Sequence, residues 1–318
     1  MVDLHVETFV WTRLFRYDMA SRHGPGPLHA RYFGQADLPR LREAGFSAVV
    51  LSIATNPARR PGTRTATLLR NLARLQRVTT PASTSTSGTE MKPFTTYLAV
   101  QGGNAFDSAA DVRLVPDGAI LRVTLMHLTD SRLGATSSPL GRSRGRGGLT
   151  AEGRAVVEAL NERRILVDLA HASRPTFFDS LDALDACRPA LPPVVTHTGI
   201  SGVRPSWRNL DDEQIRAVAD RGGVIGVMYH RGFLGRPSWT VGAEAIVRHL
   251  EHAIAVGGQD IAALGSDWDG MIVTPRDMPT CLELPVLVDR MLARNWPEDR
   301  IRRVLGVNAL RVIATVDA

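Results

Sequence analysis

The chain has 318 residues, 44% of them hydrophobic, a mean hydropathy close to zero and a formal net charge of +6 at pH 7. A chain of this size and composition can bury a large core, which indicates a soluble globular protein formed by one large α/β barrel or by two smaller domains. No apolar stretch reaches the roughly 18 to 20 residues that a membrane span needs, so we expect no membrane partner.

Short β-branched segments alternate with longer amphipathic segments along the whole chain, a pattern typical of repeated βα units and a parallel sheet. Eight strands are predicted, over residues 2–7, 47–53, 97–101, 120–127, 165–171, 194–197, 224–229 and 261–267. Six helices are predicted between them, over residues 38–44, 65–77, 151–163, 175–186, 211–221 and 243–256. Eight strands with intervening helices favour a single TIM (β/α)8 barrel over residues 1–318 rather than two domains.

Two local signals refine this prediction. Thr150 and Asp211 each precede an acidic first turn and are predicted helix N-caps. The low-complexity run PASTSTSGTE lies between the second helix and the third strand. Because the βα alternation resumes in phase after it, we interpret residues 79–92 as a flexible surface insertion and not as a domain boundary.

The positive charge is carried almost entirely by arginine, and Lys92 is the only lysine. The clearest basic run, GRSRGRGG over residues 141–148, has no interleaved aromatic residues that could stack on bases, so we expect a solvated loop and no nucleic-acid partner. Cys187 and Cys281 lack the spacing of a disulfide framework or a metal site and are expected to be free thiols. Since no secretory signal is visible, we expect a cytoplasmic protein.

Residues that can bind a metal recur at the ends of the predicted strands. They are His5, Glu7, Gln101, His171, His197 and Asp267. In a TIM barrel the active site lies at the C-terminal ends of the strands, where these side chains would meet. One such histidine alone would indicate a structural residue, but the whole set in barrel order indicates a hydrolytic metal centre.

Seven segments carry a family resemblance, and they occur in this order: DLHVE, TLMH, VDLAHAS, VVTHTGISGV, RNLDDEQIRAVADRGGVIGV, HLEHAIAVGGQDIAALGSDWDG and VLGVNALRVI. Together they resemble the membrane-dipeptidase (renal dipeptidase) family of zinc metallopeptidases, part of the amidohydrolase superfamily. The resemblance implies a TIM barrel with two zinc ions that hydrolyses dipeptides or related small amides. Most members studied form dimers, which leaves a homodimer open for this chain.

The resemblance also implies roles for single residues. His5 and Glu7 match the family's His-x-Asp, and Gln101 matches the glutamate that bridges the two ions. His171 and His197 match the ligands of the second ion. Asp267 matches the aspartate that binds the first ion and moves the proton. His127 matches the histidine that contacts the substrate carbonyl, and Arg208 matches the arginine that receives the substrate carboxylate. The alternative readings are that His127 caps its strand and that Arg208 pairs with Asp211 on the surface.

Residue chemistry indicates the same reaction. A dication bound by imidazole and carboxylate lowers the pKa of its water from about 15.7 to about 7, giving a hydroxide that could attack the scissile carbonyl. Asp267 would take the proton and deliver it to the leaving amine, and His127 would stabilise the oxyanion. Arg208 would hold a terminal carboxylate.

Gln101 is the main departure from the family pattern. A bridging carboxylate places a negative charge near both ions, and a unit charge pair at 4 Å is worth about 4 kcal/mol at an effective dielectric near 20. Lys92 cannot supply a carbamylated lysine instead, because it precedes the third strand. We therefore predict one firmly bound zinc and a second that is weak or partial. Glu7 is a milder change, since it adds one methylene to the family's aspartate.

Two functions remain open at this point: a zinc-dependent hydrolase, and a catalytically weak or inactive barrel that binds one metal and a small ligand without turnover. Several nearby residues receive lesser roles. Asp269 is interpreted as orienting the loop that carries Asp267, Trp268 as cavity wall, and His249 and His252 as helix surface or packing. The substrate pocket is expected to be formed by loops over residues 13–33, 131–148 and 230–240.

Overall fold

A computed structural model describes residues 1–56, 58–79 and 93–317, excluding the side chains of residues 27 and 28. Eight parallel strands close into a barrel in the order of the sequence, and neighbouring strands along the chain are hydrogen-bonded. The strands are β1 (Val2–Val6), β2 (Ala48–Ala54), β3 (Thr95–Gln101), β4 (Arg122–Thr124), β5 (Leu166–Asp168), β6 (Val194–Thr198), β7 (Val224–Val227) and β8 (Ala262–Leu264). The predicted TIM barrel is confirmed.

Helices connect the strands and surround the barrel. They are α1 (Phe9–Phe15), α2 (Pro27–Ala30), α3 (Leu38–Glu43), α4 (Arg64–Thr79), α5 (Ala151–Glu162), α6 (Arg174–Asp185), α7 (Asp212–Ala219), α8 (Arg231–Leu234), α9 (Glu244–Gly257), α10 (Leu284–Ala293), α11 (Glu298–Arg302) and α12 (Asn308–Ile313). Short 3-10 segments cover Gly103–Ala105, Ala109–Leu114, Ser238–Thr240, Cys281–Glu283 and Ala314–Val316, and a π-helical turn covers Arg303–Val307. The six predicted helices correspond to α3, α4, α5, α6, α7 and α9.

The two predicted N-caps are present. The Thr150 side chain accepts a hydrogen bond from the backbone N–H of Gly153 at the start of α5. Asp211 caps α7 in a reciprocal capping box with Gln214. Helix α4 ends at Thr79, so residues 80–92 of the predicted insertion lie outside the described residues.

Several strands are shorter than predicted. The predicted fourth strand covered residues 120–127, whereas β4 has three residues. Leu125 and Met126 follow β4 and are each 1% exposed, because the start of the loop after the strand is also buried. An apolar run in the sequence therefore indicates buried residues here, and it overestimates the length of the hydrogen-bonded strand β4.

The N-terminal end of the barrel is closed by the last helix. Val2 and Leu4 of β1 pack in one apolar cluster with Ala309 and Val312 of α12. This packing leaves the C-terminal ends of the strands as the end of the barrel that can carry a site. Among the described residues, no helix has the length and apolar character to cross a membrane.

Candidate metal centre and active-site cavity

The six candidate ligands meet at the C-terminal end of the barrel, as the strand-end argument predicts. Five of them are buried, with exposures of 0% for His5, 5% for Glu7, 2% for Gln101, 8% for His171 and 1% for His197. The Asp267 side chain is 13% exposed and lies three residues after β8. Their roles as ligands stay predictions, but the fold brings their side chains together.

One group of ligand atoms surrounds His5. Its Nε2 lies 3.4 Å from Oε1 of Glu7 and 3.5 Å from Oδ1 of Asp267. Nε2 of His5 and Oε1 of Glu7 are buried without a hydrogen-bond partner among the described residues. Ligand atoms about 2.0 to 2.1 Å from a tetrahedral zinc lie about 3.3 Å apart. The spacing and the unpartnered atoms therefore fit one cation held by two carboxylates and an imidazole.

A second group contains the two later histidines. Nε2 of His171 and Nε2 of His197 are 2.9 Å apart, so a proton or a cation must lie between them. The amide nitrogen of Gln101 lies 3.4 Å from both, and its Oε1 has no partner among the described residues. Turning the amide by 180° would direct that oxygen at the same two nitrogens. These residues also fit a cation, but none of the three carries a negative charge.

The two groups form one site, because the rings of His5 and His197 stack with centroids 3.7 Å apart. Burial lowers the pKa of His5, His171 and His197 well below the ordinary value, which keeps the imidazoles in their neutral, ligating form. Burial also raises the pKa of Glu7 to about 8 and that of Asp267 well above its ordinary value. A bound cation would favour the ionised carboxylates instead.

A buried polar layer lies beneath the ligands. Asp168 has an oxygen within 4.8 Å of ring nitrogens of His5 and His197, which could suggest a metal site of these three residues. However, one Asp168 oxygen accepts from Arg122, Thr124 and the Thr196 hydroxyl. The other accepts from two backbone N–H groups. Since both oxygens are engaged, we assign Asp168 to the support of the site and not to the ligands.

Arg122 of β4 is the centre of this layer and is 1% exposed. It pairs with Asp168 at 3.1 Å, and its second terminal nitrogen lies 2.6 Å from Nδ1 of His5. Arginine can only donate, so Nδ1 accepts and the proton of the neutral ring lies on Nε2. Ligating histidines usually donate from the ring nitrogen that does not bind the metal. A cation at Nε2 of His5 would place the ring proton on Nδ1, so the contact between Nδ1 and Arg122 would lengthen when the cation binds.

Sequence reasoning missed Arg122 and Asp168. The available signal was a charged residue inside each of two otherwise apolar strands, LRVTL and LVDLA. Such residues are almost never buried unless they are paired. The two residues therefore indicated a buried ion pair between Arg122 and Asp168 on adjacent strands.

We expect Arg122→Met to lower the free energy of unfolding by about 3 to 5 kcal/mol, because it leaves the Asp168 carboxylate buried without its cation. Arg294→Met is the matched control, since Arg294 is 39% exposed and pairs with Glu251 on the surface. Its loss of stability should be much smaller, because exposed ion pairs are screened by solvent. Urea titrations of both variants measure the difference, and equal losses would contradict the account.

Two further aspartates hold the loops that carry the ligands. Oδ1 of Asp3 accepts from the backbone N–H of His5 at 2.9 Å and of Ser266 at 3.1 Å, which ties β1 to the end of β8. Asp269 accepts from the Thr8 hydroxyl at 2.6 Å, in agreement with its interpretation as a loop anchor. Trp268, interpreted as cavity wall, is instead fully buried and packs edge-on against Tyr229.

A cavity of about 380 Å³ opens above the ligands. His127 lies in its wall with its ring edge-on to His171, at a centroid distance of 5.0 Å. Apolar side chains form much of the rest of the wall: Val10, Leu128, Trp207, Phe233, Met271 and Ile272. Of the three loops predicted to form the pocket, only residues 230–240 contribute described lining residues. Val10, Trp207 and Met271, which also line the cavity, come from segments that were not singled out.

Arg208 reaches the cavity with a guanidinium that is nearly buried, since the residue is 5% exposed. One nitrogen donates to the backbone oxygen of His197 at 2.5 Å. Among the described residues Arg208 forms no ion pair, and Asp211 pairs with Arg174 at 2.9 Å instead. The alternative of a surface pair between Arg208 and Asp211 is therefore wrong. The guanidinium remains available for an anion in the cavity.

The histidine pair on α9 does not form a metal site. His249 is buried, and its Nδ1 accepts from the backbone N–H of Ile200 at 2.8 Å. His252 points elsewhere and lies 2.7 Å from a carboxylate oxygen of Asp212. The two rings therefore have separate structural partners outside the barrel.

We expect the stability contribution of His249 to depend on pH. Burial lowers its pKa from 6.5 to about 4, so between these values the unfolded chain takes up a proton that the folded protein does not. The contribution is complete above pH 6.5 and is lost as the pH falls. The stability advantage of the wild type over His249→Gln should shrink by roughly 2 kcal/mol between pH 7 and pH 5. Urea titrations at both pH values test this, and a pH-independent advantage would contradict it.

Comparisons with known proteins identify a matching family model and related sequences. The family model Peptidase_M19, described as membrane dipeptidase (peptidase family M19), matches residues 1–318. A Klebsiella pneumoniae protein, described as an uncharacterized protein in the pqqA 5' region, is 34% identical over 172 residues, 53% of this chain and 61% of its own length. An uncharacterized dipeptidase of Schizosaccharomyces pombe is 28% identical over 218 residues, 68% of this chain and 51% of its own length. The chain thus spans about half to three fifths of these two relatives.

Solved structures share the fold. A family M19 metallopeptidase named dipeptidase AC superposes with a TM-score of 0.83 at 23% identity, covering 99% of this chain and 98% of its own. A Rhodobacter sphaeroides metallopeptidase, solved with a phosphinate mimic of the dipeptide L-Ala-D-Ala, superposes with a TM-score of 0.82 at 22% identity, with the same coverage. The family model covers the whole chain, and the resemblance seen in the sequence is confirmed: the chain belongs to the membrane dipeptidase family, peptidase family M19.

Proposed function

We propose that this protein is a zinc-dependent hydrolase that cleaves the amide bond of dipeptides or related small amides. The observation that carries the proposal is the convergence of unpartnered imidazole and carboxylate atoms beneath a cavity that also contains an unpaired arginine. Family membership supports the same class of reaction.

Zinc would be held by His5, Glu7 and Asp267, with His171 and His197 beside them. When bound, it would polarise the substrate carbonyl and lower the pKa of a water molecule. We propose one firmly bound ion at the group that carries two carboxylates, and a weak or partial second ion at the two later histidines. The second group lacks a negative charge because Gln101 is an amide, at the position that the resemblance matches to a bridging glutamate.

The protein's own side chains would perform the remaining steps. Asp267 would accept a proton on its carboxylate and deliver it to the leaving nitrogen. His127 would donate a hydrogen bond to the carbonyl oxygen as negative charge develops there. Burial, together with the nearby Arg208, lowers the pKa of His127 to about 4, so the ring is neutral at pH 7 and keeps one N–H for this bond.

Arg208 would bind the terminal carboxylate of the substrate. Burial lowers its pKa to about 10, so it remains protonated at pH 7. A desolvated guanidinium without an ion-pair partner gains most from an anion of matching shape, because its fork can donate two parallel hydrogen bonds. We further propose a single-domain cytoplasmic protein. As the resemblance implies, we also propose that it can form homodimers.

Turnover separates this proposal from its alternative, an inactive barrel that binds one metal and a small ligand. The test is a panel of dipeptides and N-acyl amino acids incubated with the protein and added zinc, with free amine detected by mass spectrometry. Hydrolysis that is lost with a chelator and restored by zinc supports the enzyme. Saturable binding of the same compounds without product would support the alternative.

A further inference from the structure

We propose that the preferred substrates are N-acylated amino acids with an apolar, preferably aromatic, side chain, rather than free dipeptides. This inference rests on the proposed function and specifies its substrate class. Three features of the cavity wall support this substrate class. The Arg208 guanidinium has no ion-pair partner, the described lining has no carboxylate outside the candidate metal centre, and aromatic rings lie beside Arg208.

The cation selects one end of the substrate. Arg208 is the arginine in the described cavity wall, and its side chain is held by the bond to the His197 backbone oxygen. A single unpaired guanidinium matches a single carboxylate. Amino acids linked through their nitrogen to any acyl group carry that carboxylate.

The other end of the substrate finds no counter-charge. Glu7 and Asp267 are the carboxylates among the described lining residues, and both face Nε2 of His5 in the candidate metal centre. A free dipeptide would bring its α-ammonium into this cavity. Burying an ammonium without a carboxylate partner costs free energy. An acyl group in place of the N-terminal residue removes that cost.

The side chain next to the carboxylate would meet aromatic groups. Trp207 precedes Arg208 and is 42% exposed, and its ring lies edge-on to Phe233 at 5.3 Å. The ring of His230 also contacts Phe233, with the two ring centroids 4.9 Å apart, so Trp207, Phe233 and His230 form one aromatic cluster. A partly exposed tryptophan inside a cavity offers a large apolar face at little conformational cost. An aromatic side chain of the substrate would cover the exposed face of Trp207.

The rest of the described wall suits an apolar acyl group. Val10, Leu128, Met271 and Ile272 line the cavity, and Met271 is 66% exposed. A volume of about 380 Å³ is within the range of small-molecule sites. The charge and shape of the wall therefore fit an anionic, otherwise apolar amide.

A matched pair of compounds tests the charge argument. N-propanoyl-phenylalanine and alanyl-phenylalanine differ only in the α-ammonium, and each is used with L- and D-phenylalanine. We measure kcat/KM with the zinc-loaded protein, and Kd by calorimetry with zinc-loaded His127→Gln, which keeps Glu7, Asp267 and Arg208 in the cavity wall. We expect the propanoyl compound to be favoured at least about tenfold in both measurements. Equal or better values for alanyl-phenylalanine would overturn the inference.

The two measurements separate this inference from the proposed function. Tighter binding of the propanoyl compound without turnover would support the substrate class and contradict the hydrolase. Turnover with a preference for the dipeptide would support the hydrolase and contradict the substrate class. Binding of neither compound would overturn the inference.

The aromatic cluster is tested with variants. Trp207→Ala should reduce the preference for N-propanoyl-phenylalanine over N-propanoyl-alanine about tenfold. Trp239→Ala is the matched control, since Trp239 is 71% exposed and is not among the described lining residues. It should leave that preference unchanged. An unchanged preference in Trp207→Ala would contradict the placement of the substrate side chain.

Discussion

Asp267→Asn is expected to lower kcat/KM by about 100-fold to 10,000-fold, the range typical of losing a general acid–base group. The amide keeps the size of the side chain but cannot accept and return a proton. It also removes one negative charge from the group formed with His5 and Glu7. Both effects act in the same direction.

The kinetics of Asp267→Asn should be measured over a range of zinc concentrations, so that lost affinity for zinc is not mistaken for lost proton transfer. Asp185→Asn is the matched control, because Asp185 pairs with Arg221 on the protein surface. It should retain wild-type kinetics. Full activity of Asp267→Asn at saturating zinc would remove Asp267 from the mechanism.

Gln101→Glu is expected to strengthen binding of a second zinc ion by up to about a thousandfold. The substitution adds a negative charge beside His171 and His197. About 4 kcal/mol per close charge pair corresponds to nearly three factors of ten in affinity. The amide already lies 3.4 Å from Nε2 of both His171 and His197. A carboxylate of the same length needs no rearrangement to reach them.

Competition with a chromophoric chelator measures the two zinc affinities of Gln101→Glu. Gln214→Glu makes the same chemical change in the capping box of α7, where glutamate is also a suitable partner. It should leave zinc binding unchanged. If Gln101→Glu behaves like Gln214→Glu, residue 101 does not contact either ion.

The fold could be predicted because its signals are local and repeated. Each βα unit has its own apolar run and amphipathic helix, so errors in single boundaries did not change the count of eight strands. Helices such as α1 and α8 were missed because they are short and lie in connections read as loops. Neither the period nor the length of such a segment separates it from a loop.

The candidate site was predicted unevenly, for a physical reason. The candidate ligands lie at strand ends, where barrel topology alone brings together residues as distant as His5 and Asp267. Arg122 lies within a strand, and recognising its contact with His5 requires the register between strands. The apolar cavity wall could not be predicted, because it depends on the conformations of loops. Trp207 and Met271 line the same cavity, although 64 positions separate them in the sequence.

Metal content is the most direct test of the central claim, that this chain keeps a dipeptidase-type centre altered by Gln101. The protein is purified without added zinc, dialysed against a mild chelator and analysed by mass spectrometry for metal per chain. The account predicts close to one zinc per chain, lost in Asp267→Asn, with a second ion bound only when zinc is added. Two chelator-resistant ions per chain, or none, would contradict it.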